Sequence, residues 1–158
     1  MDLKLVEINT GFNMIIGQAH FIKTIEDIYE TIINTVPNAK FAVAFCEASG
    51  PCLIRYESTD KELEEKTIDI ARKLSAGHSF VILMKDMYPI NILNQIKQVL
   101  EVCNIFCATQ NSVQVIIAET DQGRGILGVI DGDKSKGIET EDDKIHRKEF
   151  LRKIGYKF

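Results

Sequence analysis

Ser79–Met84, SFVILM, is apolar at every position after the first. A strand with one wet face alternates apolar and polar side chains, so an unbroken apolar run asks for cover on both faces. It therefore reads as a central strand between two layers. Further strand signals are LKLVEI (3–8), NMIIG (13–17), FAVAF (41–45), CLIRY (52–56), VCNIFCA (102–108), VQVIIAE (113–119) and GILGVI (125–130). Turn signals such as Gly50-Pro51 separate neighbouring strands. Ile22, Ile25, Ile28, Tyr29, Ile32 and Ile33 recur at spacings of three and four, which predicts a helix from near Phe21 until Pro37 stops it. Asp60 is placed to cap a second helix running to Leu74, with Glu62 and Glu65 in its first turns and Leu63, Thr67, Ile70 and Leu74 as its buried stripe. Pro89 opens a third helix through Val99, and a fourth covers about Glu141 to Lys153. Strand pairs separated by helices imply the α/β class (α+β mixed), with a mixed β-sheet and helices packed on its faces. A chain of 158 residues fits one domain spanning 1–158.

The formal charge of −4 leaves no basic footprint, and no aromatic-basic interleaving suggests RNA, so no nucleic-acid partner is expected. No run reaches 18 apolar residues, and the N-terminus lacks the basic and apolar regions of a signal peptide. No membrane partner is expected. Four cysteines in apolar or semi-apolar surroundings suit reduced thiols and a cytoplasmic location. Cys103 and Cys107 share one predicted strand about 13 Å apart, too far to share one zinc.

Chemistry concentrates in a few segments. ETDQGRGILGVID carries Gly123, Gly125 and Gly128 around Arg124. Such a run can bring backbone N–H groups and a guanidinium to an anion, or can simply turn a hairpin. It lacks the Lys-Ser/Thr end of a Walker A loop and opens no helix as a dinucleotide fingerprint does, so neither flavin nor NAD is expected. His78 lies at a helix-to-strand junction in AGHSF, where an imidazole can move a proton, accept a phosphoryl group on nitrogen, or bond across a turn. His20 can cap the following helix, bind an anion with Lys23, or pack. His146 reads as solvated surface. Glu47 directly follows an apolar strand and can accept a hydroxyl proton or help to hold Mg2+. Arg55, in the otherwise apolar CLIRY, either snorkels or pairs with an anion. Asn91 falls in the first turn after Pro89, where an amide can read a polar ligand edge.

FCEASG, AGHSF, YPINILNQIK, EVCNIFCAT, ETDQGRGILGVIDG and RKIGYKF, in this order, resemble the adenosine-specific kinase family of archaea and some bacteria. The resemblance runs from GQAHFIKT to the last residue, with departures at Ser58, Gln110, Ser112 and Gln114. It implies a compact α/β protein that forms homotrimers, sometimes paired into hexamers, that binds adenosine or AMP, and that carries a phosphorylated histidine. The resemblance supplies positions, and the roles given to them are chemical inference. His78 is the expected phosphoryl acceptor, with His20 second, and Glu47 and Arg124 are the other catalytic candidates. His20, Ser49, Gly77, Ser79, Asn91, Asp121, Gly123 and Gly125 are the ligand-binding candidates. The expected function is an adenosine kinase working through phosphohistidine. The alternative is an adenosine or AMP sensor without turnover, motivated by the absence of a Walker A loop. If a metal takes part, it is expected to be weakly held Mg2+ bridging phosphate oxygens and a carboxylate such as Glu47 or Asp121.

Overall fold

The computed structural model describes residues 1–158. Eight strands and four α-helices follow in the order β1 (Asp2–Ile8), β2 (Asn13–Ala19), α1 (Thr24–Thr35), β3 (Lys40–Cys46), β4 (Ile54–Ser58), α2 (Lys61–Leu74), β5 (Ser79–Lys85), α3 (Leu93–Gln98), β6 (Val102–Thr109), β7 (Val113–Glu119), β8 (Arg124–Asp131) and α4 (Glu141–Lys153). The α/β class with helices on the sheet faces holds. The expected mixed sheet is corrected in one respect: the strands form two sheets, ordered β4-β3-β5-β2-β6 and β1-β7-β8, and every ladder is antiparallel. Only β3–β4 and β7–β8 pair as consecutive strands; the other ladders join strands distant in sequence and still run antiparallel.

β5 is the third strand of five, and Phe80 to Met84 are fully buried. Its two faces feed two different cores. Phe80, Ile82 and Met84 pack with Ile15, Phe41, Val43 and Phe45 beneath Ile25, Ile28 and Ile32 of α1 and Ile96 of α3. Val81 and Leu83 pack with Met14 and Ile16 against Leu63, Ile70 and Leu74 of α2 and Val113, Val115 and Ile117 of β7. The molecule is thus layered as helices, five-stranded sheet, then α2 beside the smaller sheet.

Local chemistry sets the element ends. Asp60 accepts from the Leu63 N–H at 3.0 Å, as its capping position predicts. Ser75 closes α2 in the left-handed region at φ 46°. The helix opened by Pro89 is instead split, because Pro89–Asn91 forms a 3-10 turn and Ile92 turns to φ −129° before α3. Cys52 at φ 50° belongs to the turn, so β4 starts at Ile54 rather than at Cys52. Gly17 is required by packing: a Cβ there would lie 2.4 Å from the Phe80 ring and 2.7 Å from the Asn104 carbonyl oxygen. The β2–β6 register shifts at this point. The shift breaks the alternation of β6, leaving Cys107 buried and Cys103 exposed.

Candidate functional site

One end of the five-stranded sheet gathers the end of β3, the start of β5 and the end of β2. His78 stitches them together. Its N–H donates to the Cys46 carbonyl at 2.7 Å, and its own carbonyl accepts from the Ala19 N–H at 2.9 Å. It does so at φ 65°, uncommon for a residue with a Cβ and a feature that concentrates at functional sites. The imidazole stacks on Phe45, centroids 5.9 Å apart and planes 9° from parallel.

The Cys46–Leu53 loop is fastened by one carboxylate. Glu47 Oε2 accepts from the Leu53 N–H at 2.9 Å, and Oε1 accepts from Arg55 Nε at 2.8 Å and lies 2.7 Å from Nη2. The Leu53 N–H first, and Arg55 second, hold the Glu47 carboxyl below the ordinary carboxylate range. Across from this loop, Gly77 brings the chain so near to Ala48 that a Cβ would sit 3.0 Å from the Ala48 methyl.

The third wall is the β7–β8 hairpin. Thr120 and Gly123 exchange both backbone hydrogen bonds, at 2.9 and 3.2 Å, which makes Asp121-Gln122 a two-residue turn. Arg124 pairs with Glu119, which also binds Lys4, and its Nη1 donates to the Lys73 carbonyl at 3.3 Å. Lys4 first, then Arg124, depress the Glu119 pKa. Arg124 therefore anchors the hairpin to the end of α2. Gly123 and Gly125 have no positive φ, and a Cβ on either would meet nothing within 4 Å. Neither turn geometry nor packing within the chain requires them to be glycine. The Gly123 N–H is spent inside the turn, so what these glycines provide is open space rather than an anion nest.

The three walls enclose an open cleft of about 570 Å³, with Glu47, Gly77, Gln122, Gly123, Arg124 and Gly125 on its surface. The sequence of the family described as adenosine specific kinase matches residues 5–157. The chain belongs to the adenosine-specific kinase family. A crystal structure of the PH1918 protein from Pyrococcus horikoshii OT3 is 44% identical, with a TM-score of 0.95 over 99% of this chain and 98% of that one. A comparison with proteins of curated function finds no match. No helix is long and apolar enough to cross a membrane.

Not every candidate of this adenosine-specific kinase family chain reaches the cleft. His78 is partly exposed but does not line the cleft: its ring lies against Phe45, a member of the core under α1 and α3, and neither ring nitrogen has a hydrogen-bond partner within the chain. Ser79 is buried, and its hydroxyl donates to the Ala76 carbonyl at 2.7 Å. Ser49 and Asp121 are exposed at turn tips outside the cleft lining. Asn91 lies beyond the far end of β5, where its Oδ1 accepts from the Tyr88 N–H at 2.8 Å. His20 is at the correct sheet end, its N–H donating to the Glu101 carbonyl at 3.1 Å. His146 is exposed on α4.

Three features had no sequence signal of their own. The Glu47–Arg55 pair depends on the β3–β4 register that sets Phe45 opposite Arg55. Gln122 and Thr120 enter the cleft only because the hairpin folds over the end of α2. Glu101 is 1% exposed, with Oε1 2.7 Å from Lys23 Nζ but without hydrogen-bond alignment, and no donor serves Oε2. Glu101 first, then Asp27, raises the Lys23 pKa. No group of three His, Cys, Asp or Glu side chains is placed to hold a metal ion. Glu47 is engaged by Leu53 and Arg55, and Asp121 is exposed at the turn tip.

Proposed function

We propose that the protein binds adenosine or AMP in the cleft between Cys46–Ala48, Ser75–Gly77 and the β7–β8 hairpin, and that it is a phosphotransferase acting on adenosine. The observation that carries this reading is the convergence of three sequence-distant segments on one cleft, where Gly123 and Gly125 have no structural need of their own. The cleft is within the size range of small-molecule sites. The space over Gly77, Gly123 and Gly125 receives the nucleoside, and Arg124 faces the phosphate, exchanging part of its bond to Glu119 for the ligand.

The phosphoryl group moves in two displacements. A ring nitrogen of His78 attacks the terminal phosphorus of a phosphoanhydride donor, so an N–P bond forms as the donor's P–O bond breaks. The adenosine 5′-hydroxyl oxygen then attacks that phosphorus, the N–P bond breaks, and the hydroxyl proton passes to solvent. The unpartnered ring nitrogens of His78 support this role. Mg2+, if used, enters on the donor's phosphate oxygens. The working form is a homotrimer or a hexamer, in the cytoplasm.

A second reading is an adenosine or AMP sensor without turnover. It is favoured by the pairing of Glu47 with Arg55 and of Arg124 with Glu119, which neutralises the groups a kinase would use. Incubation with labelled phosphate donor and adenosine, beside calorimetry, separates the two. Phosphoryl transfer requires AMP formation that His78→Ala abolishes. Unchanged AMP formation in the variant removes the histidine step, and binding without product under all donors selects the sensor.

A further inference from the structure

The β1-β7-β8 sheet is apolar on both faces. Its inner rows, Val6-Val115-Val129 and Lys4-Ile117-Ile126, cover the core. Its outer rows are Leu3-Ala118-Gly125, Leu5-Ile116-Gly128 and Glu7-Gln114-Ile130. An antiparallel sheet facing water carries polar residues on that side. Here Leu3, Leu5 and Ile130 are 65%, 58% and 47% exposed, and Leu127, the extra residue of a bulge, is 62% exposed. Gly128, like Gly125, needs neither positive φ nor room for a neighbour in its own chain. The two glycines leave the face shallow, so another element can approach its backbone.

The chain also carries a segment that matches this face. α4 buries no residue. Phe150, Ile154, Tyr156 and Phe158 are 59%, 45%, 45% and 113% exposed. Against its own chain, the arm stands off Tyr88, Ile90 and Ala108 across a gap of about 870 Å³. Lys144–Phe158 holds six of the 19 Lys and Arg but only one of the 23 Asp and Glu. Lys148, Lys153 and Lys157 have no ion-pair partner, and neither do Asp2, Glu7 or Asp121 around the sheet face.

We propose that the C-terminal arm, Lys144–Phe158, docks on the outer face of the β1-β7-β8 sheet of a second copy of the chain. The arm's aromatic and aliphatic side chains cover Leu3, Leu5, Ile116 and Leu127, while its free lysines meet the free carboxylates at the rim. The contact joins unlike surfaces, so repetition generates a ring when the rotation closes. Ala118 and Gly125 belong to both the sheet face and the cleft, so the arriving arm walls the cleft mouth. The interface itself does not depend on what the cleft binds.

The test uses the full chain. A photo-crosslinking phenylalanine analogue at Phe158, in a mixture of isotopically heavy and light protein, gives heavy-to-light crosslinks on the Asp2–Ile8 or Val113–Glu119 peptides. Light scattering reports an oligomer that Leu5→Glu and Phe150→Glu each convert to monomer, with unchanged circular dichroism. Both side chains are exposed in the single chain, so neither change disturbs the core. Crosslinks confined to one chain at Tyr88–Ile90, crosslinks to another surface of the second copy, a monomeric parent protein, or an oligomer indifferent to both variants overturns the proposal.

Discussion

Glu47 and Arg55 are joined by two short contacts to a single carboxylate oxygen, 2.8 Å from Nε and 2.7 Å from Nη2. The pair locks the loop after β3 to β4, and that loop forms one wall of the cleft. It also means that the acidic residue nearest the candidate ligand site begins as half of an ion pair.

The pairing makes stability depend on pH. The Glu47 pKa is lowered by folding from its ordinary value of 4.5, through the Leu53 N–H and then Arg55. The stabilisation is complete above that unfolded value and is lost as the pH falls through the lower folded value. Thermal melts of Glu47→Gln should therefore lose less on acidification below about pH 4.5 than those of the parent protein. Identical acid slopes for the two proteins mean that the pair contributes nothing.

Gly123 separates stability from binding. Its Cβ position is open and its φ is ordinary, so Gly123→Val should leave the melting temperature unchanged or slightly higher. The new side chain projects into the cleft, and adenosine affinity should fall at least about tenfold, or ~1.4 kcal/mol. Calorimetry showing unaltered affinity would move the nucleoside site away from this cleft.

The four thiols should divide two and two. Burial pushes Cys107 up to about 11 and also raises Cys46, whereas Cys52 and Cys103 are exposed. Iodoacetamide near pH 8 should modify Cys52 and Cys103 quickly and reach Cys46 and Cys107 only after denaturant is added. Equal rates at Cys103 and Cys107 contradict the bulge that parts them.

Much of this fold is legible in local pattern. The apolar run FVILM announces a strand covered on both sides because only two cores can satisfy two apolar faces. The α2 stripe, the Ile25, Ile28 and Ile32 part of the α1 stripe and the Asp60 cap follow from helical period and from the needs of unbonded N–H groups, whereas Ile22, before the helix, and Ile33 are exposed. Local rules fail where neighbours decide. LKLVEI alternates as a strand should, yet Leu3 and Leu5 face outward while Lys4 lies on the inner side and pairs with Glu119. That choice belongs to the register with β7, which a period of two cannot fix.

Short-range spacing and whole motifs are enough for the class, the strand and helix order and the family. Tertiary structure decided what the segments at the cleft can do. It gave Glu47 to Arg55 and Arg124 to Glu119, spent the Gly123 N–H in its own turn, and set Asn91 at the opposite end of β5. It also turned His78 against Phe45. Each outcome is a contact between residues from different elements, fixed by register and layer packing. Spacing along one chain carries the types of those groups but not the partners that set their charge, reach and freedom.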